Sequence, residues 1–95
     1  MKNTCYRLRI NGKVQGVGFR IWFQKICNAR DVVGFVKNST ESRTIVEALI
    51  CGTEPKIDEV LQLSHKGPRL AVVKCVEKEQ GDPTEAEKFN RLDIH

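Results

Sequence analysis

The chain has few of the residues from which metal sites and nucleophile sites are usually built. It contains 2 His and 4 Cys among 95 residues, and no cysteine forms a Cys-x-x-Cys pair or has a histidine at ligand-like spacing. We therefore expect no metal site and no cofactor. The sequence also offers no Ser-His-Asp or Cys-His set and no cluster of carboxylates, so it gives no reason to expect a covalent intermediate.

Long apolar runs and aromatic residues are scarce as well. No segment approaches the length of a membrane span, and the N-terminal residues lack the apolar stretch of a signal peptide, so we expect a cytoplasmic protein without a membrane partner. Aromatic residues make up 6% of the chain and do not alternate with basic ones, which argues against a nucleic-acid partner. A net charge of +4 suits an anionic partner without identifying one. The lack of an obvious exposed apolar stripe favours a monomer.

Hydrophobic periodicity predicts alternating strands and helices in one domain that spans residues 1–95. Strands are expected at 5–10, 32–38, 44–51, 71–78 and 89–94, and helices from Phe19 and from about Thr53, with a polar loop at 80–88. The order is βαββαβ with an added C-terminal strand. Because each helix has one apolar face, both should cover the same side of an antiparallel sheet. We therefore expect an α+β fold, a ferredoxin-like two-layer sandwich.

The segment between the first strand and the first helix carries the strongest chemical signal. Gly16 and Gly18 let successive backbone N–H groups turn inward at a helix N-terminus, where the helix dipole favours an anion. Arg20 lies in the first turn and can hold two phosphate oxygens with its planar guanidinium group. A cation at this end of a helix opposes the dipole, so it needs an anionic partner. The plainer interpretation is a tight turn, which the glycines alone do not exclude.

Two motifs resemble the signature of the acylphosphatase family. They are Gly12-x-Val14-Gln15-Gly16-Val17-x-Phe19-Arg20 and Gly34-x-Val36-x-Asn38, and the similarity extends over nearly the whole chain. The resemblance implies an enzyme that hydrolyses acyl phosphates, small-molecule substrates, to a carboxylate and inorganic phosphate. It also implies the site residues: phosphate is bound by the backbone amides of Gln15, Gly16, Val17, Gly18 and Phe19 and by the side chain of Arg20, while Asn38 orients the attacking water.

Some of these residues have other interpretations. Asn38 is also suited to a turn, and it begins an N-glycosylation sequon, but its pairing with the loop favours catalysis. The side chain of Gln15 either holds the loop or is solvated. The hairpin after Asn38 has no glycine and is longer than is usual in the family, so a longer, mobile loop is expected there. Asp31 stands where the family often has glycine, and we expect it to adopt a left-handed conformation.

The cysteines give a separate set of expectations. Cys5 and Cys51 lie at adjacent ends of the first and third strands, on the outer face, where a cross-strand disulfide is compatible with the geometry. In a cytosolic protein, two reduced thiols are the preferred interpretation. Cys27, on the apolar face of the first helix, and Cys75, in line with Ala71, are expected in the core.

Two alternative functions stay open from the sequence. The carbamoyl-phosphate-processing domain of hydrogenase maturation factors carries a similar loop, but it opens a much longer protein with zinc-binding Cys pairs, whose absence here favours a free-standing enzyme. A non-catalytic phosphate-binding or regulatory ferredoxin-like module is the alternative from another class. Its sheet face would present Arg7, Arg9, Glu47 and Lys74, with few aromatic residues to stack on bases.

Overall fold

The computed structural model describes residues 3–95, which form a sheet, two α-helices and one 3₁₀ helix. The strands are β1 (Asn3–Lys13), β2 (Val33–Asn38), β3 (Ile45–Thr53), β4 (Val72–Gln80) and β5 (Leu92–Ile94). The helices are α1 (Phe19–Asn28), α2 (Glu54–Lys66) and the 3₁₀ helix Pro83–Lys88. Thr53 is the N-cap of α2 and Pro55 lies in its first turn, as expected, but the Thr53 side chain makes no capping hydrogen bond.

The strand order is β4-β1-β3-β2-β5, and this confirms the expected ferredoxin-like topology with one added strand. The first four strands pair antiparallel. A wholly antiparallel sheet was the wrong expectation for the last strand, because β5 pairs parallel with β2. The reason is topological. The last residues of β4 and the first residues of β2 lie at the same end of the sheet, so the chain crosses along this end after β4, and β5 then runs in the same direction as β2.

The main core lies between the sheet and the two α-helices. On α1 the side chains of Phe19, Phe23 and Cys27 are buried, which is the face that the helical periodicity predicted. On α2 the buried residues are Ile57, Val60 and Ser64. Ser64 Oγ donates a 2.7 Å hydrogen bond to the Val60 carbonyl, so its hydroxyl is satisfied inside the core.

A second, smaller cluster fills part of the opposite face of the sheet. Cys5 and Cys51 are directly paired across β1 and β3 and form a disulfide, so the preference for two reduced thiols was wrong. Both residues are buried, and Phe35 and Phe89 pack against them. The segment predicted as a polar loop instead forms the 3₁₀ helix that covers this cluster, and the contact between Arg7 and Glu85 fastens it to β1.

A β-bulge changes which residues of β4 face the core. The pairing shifts from Asn11 with Cys75 to Gly12 with Val73, so Lys74 is left without a partner on β1. The shift inverts the alternation of side chains, because one extra residue moves all later residues to the other face. The expectation that Cys75 is buried was therefore wrong: it is exposed.

Gly12 is needed at this bulge, and β1 continues through it to Lys13, three residues past the end predicted for the strand. The φ of Gly12 is 142°, and a Cβ there would lie 2.1 Å from the Val72 carbonyl oxygen. No other residue fits without moving β4.

Candidate active site

The loop of residues 14–18 joins β1 to α1 and supplies an unobstructed helix N-terminus. Gly16 has φ 73° and Gly18, the N-cap of α1, has φ 78°. A Cβ at either position would meet no atom within 4 Å, so backbone conformation and not space requires glycine there. For other L-residues this conformation costs about 1–2 kcal/mol. No acidic residue lies in the first turn of α1 and no side chain caps it, which leaves its first N–H groups for a ligand.

Beside this loop is a cleft of about 400 Å³, which we call the site cleft. Its lining includes Gly16, Gly18, Arg20 and Asn38. Arg20 is half-buried, and within residues 3–95 its guanidinium group has no carboxylate partner. The lining contains no acidic residue. Arg20 and the N-terminus of α1 therefore make the cleft electropositive.

Asn38, the last residue of β2, lines the same cleft. Its Oδ1 is buried and has no hydrogen-bond partner among the residues that the structure describes. Leaving a buried acceptor unpaired costs about 1–3 kcal/mol. A turn residue would use this oxygen to hold its own backbone, whereas the Oδ1 of Asn38 makes no such bond within residues 3–95.

The side chain of Gln15 connects the loop to the hairpin that follows Asn38. Its Nε2 donates to the carbonyls of Ser42, at 2.9 Å, and Ile45, at 2.8 Å. The Ile45 carbonyl also accepts from the N–H of Ser39, at 3.0 Å, directly after Asn38. Gln15 thus holds the loop, and the alternative of a solvated side chain was wrong.

The hairpin itself is a six-residue connection, residues 39–44, that lacks glycine. Short polar side chains organise it: Ser39 Oγ accepts from the N–H of Glu41, and Ser42 Oγ accepts from the N–H of Thr44. Its mobility stays a prediction. Asp31 has φ 55° and is left-handed, as expected.

The structure brings the sequence-predicted site residues into one region, although not all of them line the site cleft. Gly16, Gly18, Phe19, Arg20 and Asn38 do. Gln15 points to the hairpin instead, and Val17 is half-buried and packs against the core.

Sequence reasoning did not assign three residues of the lining to the site: Val14, which lies within the first motif, Ile21 and Ile94. Ile21 directly follows Arg20 and could have been recognised as an apolar residue outside the buried stripe of α1. Ile94 reaches the cleft only because β5 pairs parallel with β2, and no local sequence pattern predicts that pairing.

The remaining reactive groups lie away from this cleft. Burial raises the pKa of Cys27 to about 12, against a smaller opposing effect of Arg30, so its thiol is unreactive near neutral pH. Within residues 3–95, no group of three or more His, Cys, Asp or Glu side chains is arranged to hold a metal ion. None of the helices in this range is both long and apolar enough to cross a membrane.

Comparison with known proteins identifies the family. Residues 6–91 match the family model for acylphosphatase. The chain belongs to the acylphosphatase family. The resemblance inferred from the two sequence motifs is thereby confirmed. The acylphosphatase of Alcanivorax borkumensis is 37% identical over 79 residues, which is 83% of this chain and 84% of that protein.

Solved structures share the fold over almost the full length of the chain. An acylphosphatase from Coxiella burnetii superposes with a TM-score of 0.88 at 29% identity, covering 99% of this chain and 94% of that one. Full-length HypF in its phosphate- and nucleotide-bound form gives a TM-score of 0.84 at 21% identity, covering 98% of this chain but 12% of HypF. The second likeness is one of fold alone.

Proposed function

We propose that this protein is an acylphosphatase that hydrolyses the carboxyl–phosphate bond of acyl phosphates. Family membership over residues 6–91 supports the reaction. The observation that carries our assignment of residues is that Asn38 lines the same cleft as Arg20. Within residues 3–95 the buried Oδ1 of Asn38 has no hydrogen-bond partner, and the guanidinium group of Arg20 has no carboxylate partner. The amide oxygen of Asn38 suits a water molecule, and the guanidinium group of Arg20 suits a phosphate.

In this scheme the loop and Arg20 hold the phosphoryl group. The backbone N–H groups of residues 15–19 and the guanidinium group of Arg20 donate hydrogen bonds to the non-bridging oxygens. Negative charge is spread over these oxygens in the transition state, so fixed donors and a fixed cation stabilise it without reorganising. Two features keep those donors in position before substrate binds. They are the left-handed conformations of Gly16 and Gly18 and the two hydrogen bonds from Gln15 to the hairpin, which we call the Gln15 clamp.

Asn38 positions the nucleophile. Its Oδ1 accepts a hydrogen bond from a water molecule whose lone pair then points at phosphorus, opposite the acyl oxygen. The new bond joins the water oxygen to phosphorus, the bond from phosphorus to the acyl oxygen breaks, and both protons of the water leave with the phosphate product, as dihydrogen phosphate. The leaving group is a carboxylate, which needs no general acid. In this scheme Asn38 therefore positions the water, and Arg20 stabilises the negative charge on the phosphoryl oxygens.

Substrate and product define the partners of this scheme: an acyl phosphate and inorganic phosphate. The monomeric state and the cytoplasmic location stay predictions. The disulfide weighs against a strongly reducing compartment, because reducing cytosols keep most thiols free.

The test is hydrolysis of benzoyl phosphate by the wild type, Arg20→Ala and Asn38→Ala, with Arg43→Ala and Asn90→Ala as exposed controls of the same residue types. Loss of one such fixed group costs about 10²–10³-fold in kcat, so we expect at least this for both site variants and less than twofold for the controls. Arg20→Ala should also raise the inhibition constant of inorganic phosphate, and Asn38→Ala should not.

The unfolding free energy of each variant, from urea titration, serves as the folding control. Asn38→Ala should stay within about 1 kcal/mol of the wild type, because it removes an acceptor that has no partner. A wild type that binds phosphate without hydrolysing benzoyl phosphate would point to the non-catalytic module instead. Full activity in Asn38→Ala would refute the water-positioning role.

A further inference from the structure

The site cleft has an apolar rim that the chemistry at phosphorus does not use. Within residues 3–95, four large hydrophobic side chains are markedly exposed: Ile21 at 59%, Leu70 at 67%, Val72 at 56% and Ile94 at 36%. Two of the four, Ile21 and Ile94, line the site cleft. Single exposed apolar residues are ordinary on a protein surface, but two at the rim of one polar cleft suggest a contact surface.

The two isoleucines come from different elements of the fold, α1 and β5. Ile21 follows Arg20 in the first turn of α1, whereas Ile94 lies beside β2, in register with Val36, two residues before Asn38. Two hydrogen bonds fix α1 against β5: Gln24 Nε2 donates to the Leu92 carbonyl at 3.1 Å, and the Leu92 N–H donates to Asn28 Oδ1 at 2.8 Å. The rim is therefore part of the folded scaffold.

The polar side chains of the lining already have tasks in the proposed reaction. They are Arg20, which binds phosphate, and Asn38, which binds water; the other side chains that line the cleft are hydrocarbon. A charged or amide-bearing acyl group would thus find no polar side chain left to pair with, whereas an apolar one would exclude water from the isoleucines.

We propose that Ile21 and Ile94 form an acyl-binding rim that makes the enzyme select acyl phosphates with apolar acyl groups, aromatic or larger aliphatic, over small or polar ones. This inference rests on the proposed function. In-line attack puts the acyl group on the side of phosphorus away from the water and from Asn38. Ile21, which directly follows Arg20 in the chain, is therefore the residue expected to contact it directly, and Ile94, in register with Val36 on the strand that carries Asn38, contributes less.

The test compares kcat/KM for benzoyl, acetyl and carbamoyl phosphate in the wild type, Ile21→Thr, Ile94→Thr and the double variant. Threonine keeps the β-branched shape, so the helix and strand are little disturbed, and Val72→Thr is the matched control at an exposed position outside the cleft. Benzoate and acetate are similar leaving groups, so the ratio of their kcat/KM values reports contact with the acyl group.

We expect the wild type to favour benzoyl phosphate over both smaller substrates. Partial burial of a ring against one isoleucine is worth roughly three- to tenfold in kcat/KM. Ile21→Thr should lower the benzoyl-to-acetyl ratio by about that factor, Ile94→Thr by less, and the double variant by the most. Val72→Thr should leave the ratio unchanged, and the inhibition constant of inorganic phosphate should be the same in all variants.

Two results would overturn the rim while leaving the proposed function intact. One is a wild type that hydrolyses acetyl and benzoyl phosphate equally well. The other is an Ile21→Thr or double variant that loses the same factor on both substrates, which would mean a structural role. A wild type that hydrolyses none of the three would overturn the proposed function itself, and the rim with it.

Discussion

Two clefts of nearly equal size lie in different parts of the molecule, and they differ in how their charges are paired. The site cleft measures about 400 Å³, and a second, which we call the outer cleft, measures about 380 Å³ on the open face of the sheet. The outer cleft is lined by charged side chains that include Arg7, Arg9, Lys37 and Glu47. Volume alone does not separate them.

Charge pairing does separate them. On the outer face, Arg7 contacts Glu85, and Glu47 lies 3.6 Å from Arg9 and 3.9 Å from Lys37. Exposed pairs of this kind contribute at most about 1 kcal/mol and leave little for an anion to gain. Among the lining residues of the site cleft, Arg20 has no carboxylate partner and the buried Oδ1 of Asn38 has no hydrogen-bond partner, as far as residues 3–95 are concerned. Unsatisfied groups occur on the outer face as well, where Glu85 Oε2 is buried without a partner among the described residues. The site is therefore marked by the combination of an unpaired cation and an unpartnered acceptor on residues of one cleft whose lining has no acidic residue.

The largest effect on stability should come from removing the disulfide on the outer face of the sheet. The disulfide joins residues 46 apart, so Cys5→Ser with Cys51→Ser should lower the unfolding free energy by up to about 4 kcal/mol, since the unfolded chain regains its loop entropy. Urea unfolding measures this. If the two faces act separately, kcat/KM for benzoyl phosphate stays within twofold below the melting temperature; a tenfold loss would show that the faces are coupled.

Alkylation followed by mass spectrometry checks the state of the thiols in the same experiment. Unreduced native protein should take one label, at exposed Cys75, and unreduced denatured protein a second, at Cys27. Four labels without a reductant would contradict the disulfide.

An intermediate effect, on kcat, should come from removing the hydrogen bonds that hold the loop of residues 14–18 while keeping Arg20 and Asn38. Gln15→Ala removes both hydrogen bonds from the loop to the hairpin, and we expect kcat for benzoyl phosphate to fall about tenfold, since even small misplacement of catalytic groups slows reaction. Asn11→Ala, which also loses an amide-to-carbonyl contact but does not line the site cleft, is the control. An unchanged kcat in Gln15→Ala would mean that the loop is held without the clamp.

The smallest effect should come from the outer cleft. Arg9→Ala breaks a pair with Glu47 at the surface, so kcat/KM should change less than twofold and the unfolding free energy by less than about 1 kcal/mol. Steady-state kinetics beside Arg20→Ala gives the comparison directly. A loss in Arg9→Ala that approaches the loss in Arg20→Ala would break the distinction between the two clefts.

The same contrast explains what the sequence could predict. The buried stripe of α1 and the glycine–arginine loop are local patterns, and their positions were predicted correctly. The outer face depends on a segment that returns from far along the chain: Phe89 and Ala86 cover Cys5 and Cys51, and alternation alone assigned those cysteines to an uncovered surface. Lys74 was expected on that face, but it falls at the bulge and does not line the outer cleft.

Two further errors have the same origin. The bulge at Gly12 depends on the approach of β4, so periodicity within β4 could not show that Cys75 is exposed. The parallel pairing of β5 depends on where β4 ends relative to β2. The presence of Ile94 in the site cleft could therefore not be predicted from local sequence, whereas Arg20 and Asn38 could be predicted from the two motifs.

The pairing of β5 also bears on self-association. β5 covers the outer edge of β2 only as far as Val36, so Lys37 and Asn38 continue as an open strand edge. Open edges are templates for pairing with another chain, and a charged side chain such as that of Lys37 discourages it. The strand that carries Asn38 is thus shielded from pairing with another chain over its first half by hydrogen bonds, and over its second half by charge.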